Sequence, residues 1–119
     1  MVNPLDTAEI GSTGLQVTRL GFGGAVLGGN FVDVTPATAV ATVRRGLERG
    51  IRLFDTAPLY GTGKSERFVG QGLSGAPRES FVLSTKVGRL LRPVASPPGS
   101  EQLVDRPPHQ PVFDFSRDG

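Results

Sequence analysis

Hydrophobic and polar positions change period several times along the chain, and each change marks an element. Ala8–Ile10 and Leu15–Thr18 flank Gly11-Ser12-Thr13-Gly14, the pattern of a short hairpin closed by a glycine-rich turn. Leu20–Ala25 (LGFGGA) reads as a strand thinned by glycines that leads into the loop Gly28-Gly29-Asn30. Thr35-Pro36 then supplies an N-cap with proline at the first helical position. The helix it opens runs to about Arg49, with Val40, Val43 and Leu47 on one face, and Gly50 ends it. Ile51–Asp55 (IRLFD) is a short strand and Thr56–Lys64 a loop. Ser65-Glu66 opens a second helix carrying Phe68, Val69 and Leu73, broken by Gly75-Ala76-Pro77. Phe81–Lys86 (FVLSTK) is the next strand.

The order is therefore hairpin, strand, helix, strand, helix, strand, with connections long enough for parallel crossovers. That predicts an α/β architecture with all 119 residues in one domain. Residues 92–111 break the pattern. They hold six of the ten prolines and no convincing period, which predicts an irregular loop or a linker. The chain closes on Phe113-Asp114-Phe115-Ser116-Arg117-Asp118-Gly119, where Ser116 or Asp114 suits a helix N-cap.

Composition narrows the function classes without choosing one. Seventeen glycines and ten prolines call for many turns. A net charge of +2, with basic residues spread out apart from Arg44-Arg45 on a solvated helix face, gives no case for nucleic acid. The chain has no cysteine, so a disulfide framework and a thiolate zinc site are both excluded. The N-terminus lacks the basic flank and apolar core of an export signal, and no apolar run approaches spanning length. The default is a soluble cytoplasmic protein; the sequence sets no oligomeric state.

The candidate chemistry lies at the strand ends. Side chains alternate along a strand, so Asp55 shares a face with Ile51 and Leu53, and Lys86 shares one with Val82 and Ser84. Each strand thus ends in a charge at its C-terminal edge, where parallel α/β folds bind ligands. If the two strands are neighbours, Asp55 and Lys86 meet as a partly buried ion pair; the plainer alternative is that each marks a strand leaving the core. Tyr60, the one tyrosine, lies five residues past Asp55 in a loop at the same edge. A phenol titrates near pH ~10, and a neighbouring ammonium favours its ionised form while a carboxylate holds the ammonium in place. Tyrosine, lysine and aspartate together are therefore a workable acid–base device for a carbonyl/alcohol pair. By itself Tyr60 reads as a half-buried aromatic.

GIRLFDTAPLYGTGKSE (Gly50–Glu66) followed by LSTKVGR (Leu83–Arg89) resembles the aldo-keto reductase family, and most closely its aldose and fucose dehydrogenase-like branch. LGFGGAVLGG (Leu20–Gly29) resembles the family's first barrel strand. The Gly11–Gly14 hairpin resembles the strand pair that plugs the barrel's base, and DFSRDG the start of the third barrel helix. The resemblance implies a TIM-type β/α barrel, of which this stretch would supply the base hairpin, three strands and two helices. It also implies hydride transfer between a nicotinamide cofactor, NADP or NAD, and an aldehyde, ketone or sugar lactol, with no metal. Tyr60 matches the proton donor or acceptor, Lys86 the residue that tunes it, and Asp55 the partner of Lys86. Gly23, Gly24 and Ala25, with Asp55, match positions near the nicotinamide ribose. The segment after Lys86 would lie at the barrel mouth and help to shape the substrate pocket. The family's orienting histidine falls beyond Gly119, and its role is not transferred to His109.

Two other readings remain. Gly61-Thr62-Gly63-Lys64-Ser65 ends like a phosphate-binding P-loop, but Pro58 stands where that pattern needs glycine. A closed eight-stranded barrel takes about 250 residues. The piece alone is thus expected to be inactive, neither binding NADPH measurably nor unfolding cooperatively, and a non-catalytic remnant or a binding subunit is the alternative.

Overall fold

The computed structural model describes residues 1–29, 32–95 and 107–118. Strands β1 (Thr7–Glu9) and β2 (Gln16–Thr18) pair antiparallel, with Ala8 opposite Val17. Their turn is stapled where Glu9 Oε1 accepts from the Gly14 N–H at 2.7 Å. The hairpin is tied to the next layer through Thr18, whose buried hydroxyl accepts from the Arg52 N–H at 3.0 Å.

Three short strands, β3 (Phe22–Gly23), β4 (Leu53–Asp55) and β5 (Val82–Ser84), form a parallel sheet in the order β3-β4-β5. Two helices make the crossovers. Helix α1 (Pro36–Glu48) begins as the sequence dictates, with Thr35 Oγ1 accepting from the Thr38 N–H at 3.2 Å and Pro36 in the first turn. Helix α2 (Lys64–Leu73) starts one residue earlier than its sequence signal, on Gly63 at a left-handed φ of 97°.

Both helices present an apolar stripe to one face of the sheet. Ala39 and Val43 from α1 meet Phe68, Val69 and Leu73 from α2 over Phe54. Phe54 is the central β4 residue and wholly buried, with Phe22 and Phe81 packed near it at ring-centroid distances of 5.5 and 6.5 Å. Because Phe54 points at the helices, alternation turns Leu53 and Asp55 to the opposite face.

The expected irregular loop is corrected at both ends. Arg89–Pro93 (β6) and His109–Phe113 (β7) are strands, paired antiparallel with Leu90 opposite Val112 and Leu91 opposite Pro111. Prolines survive here because a two-stranded arm has an outward side on which no ladder donor is needed. The centre of the expected loop, 96–106, lies outside the described residues. Near the end of the described chain, Asp114 Oδ1 accepts from the Ser116 N–H at 3.0 Å, the bond of a helix-capping or Asx turn.

Candidate active site

The parallel register sets Asp55 opposite Ser84, and the Ser84 hydroxyl donates to Asp55 Oδ2 at 3.0 Å. Lys86 lies two residues further on, just past the strand. Its ammonium donates to Asp55 Oδ1 and Oδ2 at 3.0 and 3.2 Å and to the Thr56 carbonyl at 2.9 Å. Asp55 and Lys86 therefore meet as expected, with side chains 42% and 49% exposed. An ion pair this open contributes only about 0–1 kcal/mol to stability, so its consequence is geometric. Three acceptor contacts pin the end of a long, flexible side chain.

Tyr60 completes the group. The Lys86 Nζ stands 5.0 Å from the centre of the Tyr60 ring, a cation–π distance. The hydrogen bond to Asp55 holds the Lys86 ammonium above the ordinary lysine range; burial pulls the other way, and Tyr60 adds a smaller upward push. Lys86 is thus a fixed positive charge beside the phenol at neutral pH.

Lys86 and Tyr60 open onto a cavity of about 370 Å³, within the usual span of small-ligand pockets. Tyr60 and Lys86 form its polar side; Leu59, Arg89, Phe113 and Phe115 form much of the rest. Arg89 lies over Phe113 at 4.9 Å, and Phe113 stacks on Phe115 with centroids 6.0 Å apart and planes 20° apart. The sequence reading missed this aromatic wall, which the β6–β7 pairing folds back onto the site.

Of the three residues matched to the cofactor, Gly23 pairs with Asp55 across the sheet and is exposed. Gly24 is buried and donates its N–H to the Asp55 carbonyl at 2.8 Å. Ala25 opens a short 3-10 turn, Ala25–Gly28. At Gly24 the demand for glycine comes from packing: an added Cβ would stand 2.6 Å from Ser65 Oγ. Gly23 places open backbone beside Asp55, with room for a side chain and none present. His109 lies on β7 opposite Pro93 and does not line the cavity.

The loop Gly61–Ser65 is closed to phosphate. The N–H groups of Thr62, Gly63, Lys64 and Ser65 donate to the carbonyls of Leu59, Pro58, Gly61 and Tyr60, at 2.9–3.3 Å. A phosphate cradle needs those donors free. Among the described residues no three His, Cys, Asp or Glu side chains gather as a metal site, and no helix is long and apolar enough to cross a membrane.

A strand-end lysine with its carboxylate partner, and a phenol beside it on the wall of an apolar cavity, lie at the C-terminal edge of a parallel β/α sheet, the edge where such folds bind ligands. Residues 19–110 match the model of the aldo/keto reductase family, and the chain belongs to that family. It is 42% identical over 123 residues to pyridoxal 4-dehydrogenase of Microbacterium luteolum, covering 92% of this chain and 35% of that one. With D-threo-aldose 1-dehydrogenase of a Pseudomonas species it shares 45% over 82 residues, covering 69% of this chain and 25% of that one. Among solved structures, the holo form of aldo-keto reductase AKR11C1 from Bacillus halodurans superposes with a TM-score of 0.62 at 36% identity. That match covers 72% of this chain and 27% of the other. The chain spans about a third or less of these relatives' lengths, and family membership implies the TIM-barrel fold.

Proposed function

We propose that these residues are one sector of an aldo-keto reductase barrel whose reaction is NAD(P)-dependent interconversion of a carbonyl and an alcohol. The observation that carries this is that Lys86, held by Asp55, and Tyr60 stand together on the wall of one apolar cavity. The chain's own groups offer a proton donor, Tyr60, and a fixed cation, Lys86, but no hydride. A nicotinamide cofactor, held against the exposed backbone of Gly23 beside Asp55, would supply the hydride equivalent.

In the reducing direction the substrate carbonyl oxygen faces the Tyr60 hydroxyl. As the carbonyl carbon gains hydride, its oxygen gains negative charge and takes the Tyr60 proton, giving the alcohol. Lys86 stabilises the phenolate left behind, and Asp55 keeps Lys86 in place. Solvent returns the proton to Tyr60, so one carbonyl, one hydride and one proton yield one alcohol; oxidation runs the same steps backward.

The aromatic wall favours a carbonyl carried on a ring. Phe113 and Phe115 offer flat faces against which an aromatic aldehyde or the apolar face of a sugar can stack. The test is nicotinamide oxidation by a polypeptide carrying residues 1–119 with the rest of the barrel. Carbonyl-dependent turnover, higher for ring-bearing substrates than for small aliphatic aldehydes, is expected; no turnover with any carbonyl or alcohol would refute the assignment. The same assay on residues 1–119 alone is expected to show none, because three strands do not close a barrel.

A further inference from the structure

Tyr60 sits on a loop, whereas Asp55 and Lys86 sit at strand ends, so something must fix the loop to the sheet. The structure holds a device for this in Ser65, the wholly buried second residue of α2. The Ser65 hydroxyl donates to the Gly24 carbonyl at 2.7 Å and lies 2.8 Å from Thr56 Oγ1. A serine hydroxyl has one proton. With that proton given to Gly24, Thr56 must be the donor to Ser65. The Ser65 backbone N–H donates in turn to the Tyr60 carbonyl at 3.1 Å. One residue therefore ties together the end of β3, the end of β4 and the backbone of Tyr60. Thr56 carries the connection on, since its carbonyl accepts from the Lys86 ammonium at 2.9 Å.

A second contact closes the loop from the opposite side. The backbone of Gly28 lies directly on Tyr60 and Gly61. An added Cβ on Gly28 would stand 2.5 Å from the Gly61 nitrogen and 2.6 Å from the Tyr60 carbonyl carbon. Tyr60 is thus clamped between the 3-10 turn and the start of α2.

We propose that Ser65 and Thr56 are positioning residues: their buried hydroxyl pair sets the Tyr60 phenol at its working distance from Lys86. This rests on the reading of Tyr60 and Lys86 as one acid–base unit. Neither hydroxyl touches the cavity, so their effect is exerted through Tyr60. The separation matters because the influence of a charge on a neighbouring group falls with distance and steeply with exposure to water.

Tyr60 is the chain's single tyrosine, so tyrosine labelled with 13C at Cζ alone gives one ring resonance that reports on it. The experiment measures how far that resonance moves when Lys86 is replaced by Met, in four backgrounds of the 119-residue chain: unaltered, Thr56→Val, Thr56→Ser and Ser65→Ala. Thr56→Val keeps shape and removes the hydroxyl; Thr56→Ser keeps the hydroxyl. The displacement is expected in the unaltered and Thr56→Ser chains, and is expected to vanish in Thr56→Val and Ser65→Ala while circular dichroism stays unchanged. A displacement that persists in Thr56→Val or Ser65→Ala, or is lost equally in Thr56→Ser, overturns the proposal. So does loss of fold in both hydroxyl-deleted chains, which would make the pair a general support rather than a positioning device. If Lys86→Met moves nothing in the unaltered chain, the acid–base reading itself fails, a different outcome from failure of the hydroxyl pair alone.

Discussion

The parallel sector and the β6–β7 arm border the same cavity but are built on opposite principles. In the sector, Phe54, Phe68, Val43 and Val69 are almost wholly buried, and packing forces the polar strand ends to one edge. In the arm, Phe113 and Phe115 are 67% and 81% exposed. Their rings pack on each other and against Arg89 but leave most of their surface uncovered. The sector fixes reacting groups by burying what lies behind them; the arm keeps apolar surface open beside those groups. Chemistry and substrate choice should therefore respond separately to mutation.

The largest expected effect is on the stability of the sector. Phe54→Ala empties the centre of the core and should cost about 3–5 kcal/mol, measured by urea denaturation of a polypeptide carrying residues 1–119 with the rest of the barrel. Phe115→Ala in the arm should change the same measurement by less than ~0.5 kcal/mol; comparable losses would erase the contrast. Next is Gly61→Ala. Gly61 has a φ of 63°, and its added Cβ would collide with the Gly28 carbonyl. Strain and clash together should cost on the order of 2 kcal/mol and shift the Tyr60 ring resonance.

A smaller effect separates the regions by kinetics. In the complete barrel, replacing both Phe113 and Phe115 with Ala should lower kcat/KM for ring-bearing carbonyls about tenfold, the equivalent of ~1.4 kcal/mol of lost stacking. Small aliphatic aldehydes should be little affected. An equal loss for both substrate classes would move the arm from selecting substrates to supporting the fold.

The smallest effect is on pH dependence. A lysine whose folded value is raised contributes stability that is fully present below its unfolded value (~10.4) and is lost as pH rises through the folded one. The Lys86 value is raised, chiefly by the hydrogen bond to Asp55. Lys86→Met should therefore lower stability by at most ~1 kcal/mol at neutral pH, and the gap from the unaltered chain should close in strongly alkaline solution. A gap that widens with pH would contradict the assigned pairing.

Legibility in the sequence follows the same division. The sector was readable because each part carries a local signal: Thr35-Pro36 starts α1, Gly50 ends it, and alternation in IRLFD and FVLSTK places Asp55 and Lys86 on one edge. The strands came out shorter than the apolar runs, since Ile51 and Phe81 pack against the core without joining the ladder. The arm was not readable because Pro93 and Pro111 argue against strands, and only pairing across a long intervening segment makes them strands. Ser65 was visible only as a helix start and as the tail of a false P-loop. Its hydroxyl gains meaning from Gly24, 41 positions earlier, and no local pattern records so distant a bond.

The central claim is that Tyr60 handles the proton at the substrate oxygen. Its most direct test is Tyr60→Phe in a polypeptide carrying these residues and the remaining barrel, with nicotinamide binding and carbonyl turnover measured side by side. Removing the hydroxyl should leave cofactor affinity within about twofold, because a shift of ~0.4 kcal/mol is all that allows, and should abolish carbonyl reduction. Retained turnover in Tyr60→Phe would contradict the assignment.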